Sequence, residues 1–327
     1  MVTIKQVAEE AGVSKSTVSR YISQNGYVSQ EAQEKIEAAI TKLNFVPNLS
    51  ARSLKTKHSQ IVGLLLPDIS NPFFPMLAKG VEKFLKEHGY RVLLGNIGED
   101  NQFEEDYLKV LMQTNAAGVI TTNDFREAFP EIKLPTVIVD RVGQKSDFGV
   151  FSDNLSGGKI AARVIVEAGA KNVAVISGPV TAESINNRFK ASIAYLKKTK
   201  TNYETFYSQS YDFDEILKEA RQVLKHNDFD SIIAPSDIHA MAYIRELHYL
   251  GKRIPEDVQI IGYDDILMSQ YMYPALSTIH QDAYEMGYEA AKLIYKLSLG
   301  QEIKSRQLQL PVRYVERETI RKRENNE

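Results

Sequence analysis

Two hydrophobic periods divide the chain. Over residues 3–43 the apolar positions come at helical spacing in three short blocks: Ile4/Val7/Ala8/Ala11, Val18/Ile22 and Ala32/Ile36/Ala39/Ile40/Leu43. Local chemistry sets the block ends. Thr3 and Gln6 have the spacing of a capping box, and Gly12 supplies the left-handed turn that stops the first helix. Val13 fills the corner, Ser14 caps a second helix with Thr17 in its first turn, and Ser29 caps a third. From Ile61 the pattern changes to short apolar runs alternating with amphipathic ones. Strands are predicted at 61–66, 91–96, 118–121, 136–139, 149–151, 173–177, 204–208, 231–234, 259–262 and 277–280. Helices are predicted at 74–88, 102–114, 156–168, 184–198, 213–226, 238–250 and 284–299. Such alternation builds parallel sheets covered by helices on both faces, and two successive sets predict two α/β lobes. Ligands of such lobes sit at the carboxyl ends of the strands, and a cleft between lobes is a common ligand site.

In the front segment, Lys15, Ser16, Thr17 and Arg20 fall outward at the start of the second helix. In a helix-turn-helix these positions reach base edges in the major groove. Lysine and arginine suit guanine O6 and N7, while Ser16 and Thr17 suit a phosphate or a thymine methyl. Taken alone, the same residues describe the solvated face of an ordinary helical hairpin. The tight turn, the alanines that permit close crossing and the third helix favour the DNA reading, and Thr3 at the leading cap is grouped with these residues. Pro47 ends the head. Residues 47–59 have little to bury, are marginal as an isolated helix and have a composition suited to folding on DNA. Ala51 and Leu54 lie at i, i+3 with no core to join, which makes Leu54 a candidate minor-groove wedge. Arg52, Lys55 and Lys57 are placed for phosphates.

Charge and composition narrow the rest. The 327 residues carry a formal charge of −2, but residues 1–58 hold eight Lys/Arg against five acids, a +3 head on a −5 body. There is no Cys, which excludes disulfides and thiolate metal sites, and the six His show no metal spacing. The strongest apolar run, IVGLLLP at 61–67, is strand-sized and not membrane-spanning. No basic region followed by an apolar core opens the chain, so no signal peptide and a cytoplasmic location are expected. No catalytic triad, paired acid/base, GxGxxG or P-loop pattern occurs. Neither an enzyme nor a cofactor is expected.

TIKQVAEEAGVSKSTVSRYI (3–22), YVSQEAQEKIEAAITKLNFVPNLSARSLKT (27–56) and IVGLLLPDISNPFF (61–74) resemble the LacI/GalR family of bacterial transcriptional regulators. The likeness continues through VDR (139–141), NNRF (186–189), GYDD (262–265) and STIHQD (277–282). It implies an all-α three-helix helix-turn-helix head at 1–46 and a hinge helix at 47–59. It also implies an α/β two-lobe, periplasmic-binding-protein-like effector domain at 60–327. The first lobe takes 60–152 and 283–310, and the second 153–282 and 311–320. The resemblance further implies a homodimer on a near-palindromic operator; without a leucine-rich tail after the last strand, a dimer is the expected assembly.

Carried over by position, Lys15, Ser16 and Arg20 choose bases and Leu54 levers the central base step. Arg188 and Asp264 hold effector hydroxyls or carboxylates, Asp140 and Gln281 add contacts, Phe73 and Phe74 form an aromatic wall, and Phe213 a second one. The chain departs from the family at Ser236–Asp237, where many members have Asn before Asp. Ser236 reaches less far, and Asp237 is read as the cap of the helix from Ile238. An aromatic wall with Asp, Arg and Gln suits a polyol, a sugar or sugar phosphate, although a purine-like ligand would also use the wall. The resulting expectation is a sequence-specific repressor of carbohydrate-utilisation genes, with a corepressor-dependent global regulator and a sugar receptor without DNA function as alternatives.

Overall fold

The computed structural model describes residues 2–23, 26–45, 59–98, 103–143, 146–179, 183–226 and 228–322. Its contacts divide into two units, Met1–Gln60 and Ile61–Glu327. Ala51, Leu54 and the basic residues of the expected hinge lie outside the described residues.

The first unit contains α1 (Ile4–Ala11), α2 (Lys15–Ser23) and α3 (Gln30–Lys42). The capping box is formed: the Thr3 N–H donates to Gln6 Oε1 at 2.9 Å and the Gln6 N–H donates to Thr3 Oγ1 at 3.4 Å. Gly12 follows at φ +63°, a conformation that costs other residues a clash at Cβ. Val7, Ala8, Ala11, Val18, Val28, Ile36, Ala39 and Phe45 close a small core. The Tyr21 hydroxyl ties α2 to α3 by donating to Glu37 at 2.5 Å.

The second unit holds two six-stranded sheets. One has the order β11-β5-β4-β3-β1-β2, all parallel, from β1 (Ile61–Leu66), β2 (Arg91–Asn96), β3 (Gly118–Thr121), β4 (Thr136–Val139), β5 (Gly149–Ser152) and β11 (Gln307–Leu310). The other has the order β12-β10-β9-β8-β6-β7, from β6 (Asn172–Ser177), β7 (Asn202–Tyr207), β8 (Ser231–Ile233), β9 (Gln259–Asp264), β10 (Thr278–Gln281) and β12 (Val312–Val315), with only β12 antiparallel. Helices α4 (Phe73–Glu87), α5 (Glu104–Gln113) and α11 (Ala283–Ser298) serve the first sheet. The second has α6 (Asn154–Glu167), α7 (Glu183–Thr199), α8 (Phe213–His226), α9 (Asp237–Tyr249) and the short α10 (Leu267–Tyr271).

The chain therefore passes between the sheets three times, after β5, after β10 and after β11. The two halves also share apolar contacts, because Ile266 is buried in the first core with Ile238 and Met241 against it. Two strands and one helix have no counterpart in the pattern read from the sequence. β11, Gln-Leu-Gln-Leu, is an exposed edge strand with no buried face until Leu310, β12 has no fully buried position, and α10 spans five residues. Periodicity has too little length to register in any of them.

Glu104 opens α5 yet is 4% exposed. Burial pushes its carboxyl up to about 7, against hydrogen bonds from Asn123 and Thr121 that favour the charged form. A carboxyl raised on folding adds stability below its unfolded value and loses it as pH rises toward the folded one. Glu104→Gln is expected to match the parent protein near pH 4 and to exceed it by about 1–3 kcal/mol at pH 8. Urea melts at the two pH values measure this; a variant less stable at pH 8 would mean that Glu104 works as a charge.

Candidate functional site

In the head, five cations lie within the described residues. Three are held by acids: Lys5 by Glu9 at 3.7 Å, Lys35 by Glu31 at 2.7 Å and Lys42 by Glu10 at 2.6 Å. The remaining two, Lys15 and Arg20, have no acidic partner among the described residues and both lie exposed on α2. Ser16 is exposed beside them and Thr17 half-buried. Their hydroxyls lie 2.7 and 2.8 Å from Ser14 Oγ, which also accepts the Thr17 N–H at 3.1 Å. The start of α2 is thus pre-ordered by Ser14, with its two cations available to an anionic partner. Thr3 is exposed, its side chain engaged in the cap.

In the body, one cavity of about 460 Å³, mouth included, is lined by residues at the carboxyl ends of strands from both sheets. Asp68, Asn71, Phe73 and Phe74 follow β1, and Asp140 and Arg141 follow β4. From the other side come Arg188 on α7, Tyr211 after β7, Pro235 and Ser236 after β8, Asp264 at the end of β9 and Gln281 at the end of β10. Seven of the eight cleft residues read from the sequence meet here. Phe213 does not: as the first residue of α8 it packs against the Ile216, Leu217 and Ala242 cluster, and the aromatic ring lining the cavity on this side is Tyr211. Asp68, Asn71, Arg141, Tyr211 and Pro235 were not singled out in the sequence; the strand-end rule marks their loops without selecting the residues.

Arg188 is the hub of the second half's wall. Its side chain is 8% exposed, with Nη1 3.8 Å from Asp264 Oδ1. Nε donates to Asn154 Oδ1 at 2.9 Å, Nη1 donates to the Pro235 carbonyl at 2.9 Å, and the guanidinium lies 3.7 Å from the Tyr263 ring centroid. Gly158 of α6 permits this placement, because a Cβ there would stand 2.0 Å from the Arg188 carbonyl oxygen. Gln281 Nε2 donates to Asp264 Oδ1 at 2.6 Å. Burial pushes the Asp264 carboxyl well above the usual range, and the Asp237 and Asp140 charges add to this while Arg188 opposes it. Asp140, Asp264 and Asp265 all take positive φ, at 61°, 113° and 59°. Such non-glycine conformations cost about 1–3 kcal/mol each and collect where a site needs a side chain aimed. Two acceptors of the lining, Asp140 Oδ1 and Gln281 Oε1, are buried without a hydrogen-bond partner among the described residues. Phe73 and Phe74, 5.3 Å apart edge to face, belong both to the lining and to the core behind it.

The Ser236–Asp237 pair divides its work differently from the sequence reading. Ser236, not Asp237, caps α9, its side chain accepting from the His239 N–H. Asp237 is fully buried and turned away, accepting from the Ile266 N–H at 2.9 Å, the Ser269 hydroxyl at 2.6 Å and the Thr278 hydroxyl at 2.6 Å. Its carboxylate pins the loop after β9, which carries Asp264, to β10, which leads to Gln281. Outside that ladder, Asp265 is held by Arg317 and by His280 Nδ1 at 2.9 Å. Burial raises its carboxyl, but these two partners outweigh burial and hold it below the usual range.

A helix-turn-helix head joined to a two-lobe α/β body with a polar cleft defines a DNA-binding regulator that carries its own small-molecule receptor. The family of bacterial regulatory proteins, lacI family, matches residues 3–48, and the periplasmic binding protein-like domain matches residues 162–320. The ribose operon repressor of Lactococcus lactis subsp. lactis is 72% identical over 99% of each chain. The lac repressor dimer bound to operator and the anti-inducer ONPF has a TM-score of 0.87 at 24% identity, covering 98% of this chain and 99% of that one, a likeness of fold. A LacI family transcriptional regulator from Enterococcus faecalis with bound ribose has a TM-score of 0.71 at 26% identity, over 80% of this chain and 98% of that one. The chain belongs to the LacI family. It is a DNA-binding repressor of that family with a periplasmic-binding-protein-like body. Among the described residues no helix is long and apolar enough to cross a membrane, and no group of three or more His, Asp or Glu is placed to hold a metal.

Proposed function

We propose that the effector is a neutral pentose, D-ribose, and that its binding in the cleft releases a homodimer from a near-palindromic operator controlling ribose use. The observation that carries the sugar is the cavity lining. Asp68 and Asp140 already match the charges of Arg141 and Arg188, so with Asp264 beside them the lining has no excess of cations to receive the double negative charge of a sugar phosphate. Asp140 Oδ1 and Gln281 Oε1 call for hydroxyl donors, and the Phe73–Phe74 wall suits the apolar face of a pyranose or furanose ring. The 72% identical relative is named for the ribose operon, and the Enterococcus regulator holds ribose, in support of the same choice.

The effector must bind the released and the gripping states unequally, or nothing is regulated. Lining residues from both sheets give it that means, since it stabilises the spacing of the lobes at which both walls reach it. Lys15, Ser16, Thr17 and Arg20 read bases or phosphates, and Thr3, Ala51 and Leu54 complete the grip. No cofactor and no catalytic step are involved, and the protein acts in the cytoplasm.

The test is fluorescence anisotropy on the operator of the ribose genes, titrated with D-ribose. Loss of the complex with D-ribose, and not with ribose 5-phosphate, is the expected result. Strengthening of the complex would make the sugar a corepressor, and indifference to both would remove pentoses from the reading. On the same operator Arg20→Ala is expected to cost about 1–3 kcal/mol and to relax the choice at one base pair per half-site. An unchanged preference across a panel of single-base operator variants would take Arg20 out of the reader.

A further inference from the structure

His239 lies behind the cleft without lining it. It is fully buried on the first turn of α9, and its Nδ1 is 2.8 Å from the Oγ of Ser236, a residue that lines the cavity. Its own backbone N–H donates to that same oxygen at 3.3 Å. Its ring meets the Tyr211 ring edge to face with centroids 5.7 Å apart, which fixes the imidazole plane.

We propose that His239 is a positioning residue for effector selectivity: it locks the Ser236 hydroxyl as a hydrogen-bond acceptor toward the cavity, so that the effector must present a hydroxyl donor there. Burial holds the imidazole neutral, its pKa driven down to about 3. A neutral imidazole has one N–H and one acceptor nitrogen. Nε2 completes no hydrogen bond among the described residues, while the nearby Ser210 backbone favours the protonated ring, as a carbonyl oxygen does and an N–H does not. A lone pair aimed at a carbonyl oxygen is repelled and an N–H is attracted, so the proton belongs on Nε2 and Nδ1 accepts. The Ser236 O–H then points at Nδ1. Of the two lone pairs left on Oγ, one takes the His239 N–H that caps α9, and the other is left for a donor in the cavity that Ser236 lines. A freely rotating serine would offer an effector either polarity. This one offers only acceptance, which favours a sugar hydroxyl over an ether oxygen or a fluorine at the same place.

Two measurements on the full-length protein test this. The first needs no ligand: imidazole ¹⁵N shifts at pH 7, with the His239 signal assigned by its absence in His239→Asn, are expected to show the proton on Nε2 and no titration down to pH 5. A proton on Nδ1, or a ring that titrates in that range, overturns the proposal. The second rests on the D-ribose reading and is calorimetry with D-ribose. His239→Leu, which keeps bulk without an acceptor, is expected to bind about tenfold more weakly, about 1.4 kcal/mol. His239→Asn, whose Oδ1 takes the place of Nδ1, is expected to stay within about threefold of the parent, and His239→Leu added to Ser236→Ala to cost less than about threefold further. Equal losses for Leu and Asn, or the full tenfold without Ser236, overturn it. A parent protein that binds no D-ribose sinks the ribose reading and leaves the ¹⁵N result to decide the proposal.

Discussion

Arg188→Ala is expected to lower D-ribose affinity at least about 100-fold and to cost about 3–5 kcal/mol of stability, while the effector-free variant still finds its operator. The reason is the company Arg188 keeps. It is the cation that offsets the Asp264 charge, and it ties the cavity wall to Asn154 and to the Pro235 carbonyl. Removing one partner of a buried pair leaves the other uncompensated, which costs more than the pair contributes.

The pH dependence follows in sign. Burial already raises the Asp264 carboxyl, and Arg188 is what opposes the rise. Without Arg188 the folded pKa climbs further. The deficit is therefore smallest on the acid side, where both proteins hold the proton, and widens as pH rises through the range where only the parent has released it. Chemical denaturation at several pH values, with calorimetry for the sugar, measures both effects. A deficit that does not change with pH would mean that Asp264 carries the same charge in both proteins. An unchanged D-ribose affinity would place the effector elsewhere.

The second large effect is expected at Asp237, which touches no ligand. Asp237→Ala strands three buried donors, the Ile266 N–H and the Ser269 and Thr278 hydroxyls. Hydrogen bonds to a charged acceptor contribute about 1.5–3 kcal/mol each and are not additive within one cluster, so a loss of about 3–5 kcal/mol is expected. Sugar affinity falls with it, because the pinned loop follows directly on Asp264 at the end of β9 and seats Ile266 in the first core. Asp237→Asn retains one acceptor oxygen and is expected to lose less than the alanine variant. The urea midpoints of the two variants check this. A loss below about 1 kcal/mol for alanine would show water satisfying the donors, and equal losses would argue that charge, not acceptor count, holds the loop.

Much of this molecule was readable residue by residue. The capping box at Thr3, the turn at Gly12, the caps at Ser14 and Ser29 and most strands of both sheets are consequences of neighbours within a few positions. Such short-range preferences act on the chain wherever it folds. The class of protein was readable for a related reason, since motif spacing along one chain carries over to any chain of the same family. The cavity was readable only in part. Arg188, Asp264, Asp140 and Gln281 stand in or beside motifs, so their types and order marked them.

What the tertiary structure alone decided are convergences between distant segments. That Tyr211 rather than Phe213 lines the cavity depends on where β7 ends and α8 begins against the Ile216–Ala242 cluster. That Asp237 faces away from its own helix end and into the loop after β9 depends on Ile266, Ser269 and Thr278 arriving from 29 to 41 residues further on. The strands β11 and β12 exist because neighbours across the sheets complete their hydrogen bonds, not because four residues of alternating pattern demand them. In each case the deciding contacts are non-local. Their energy comes from burial and partners that a window of sequence does not contain, so one chain position can favour several local structures while only the folded surroundings select one.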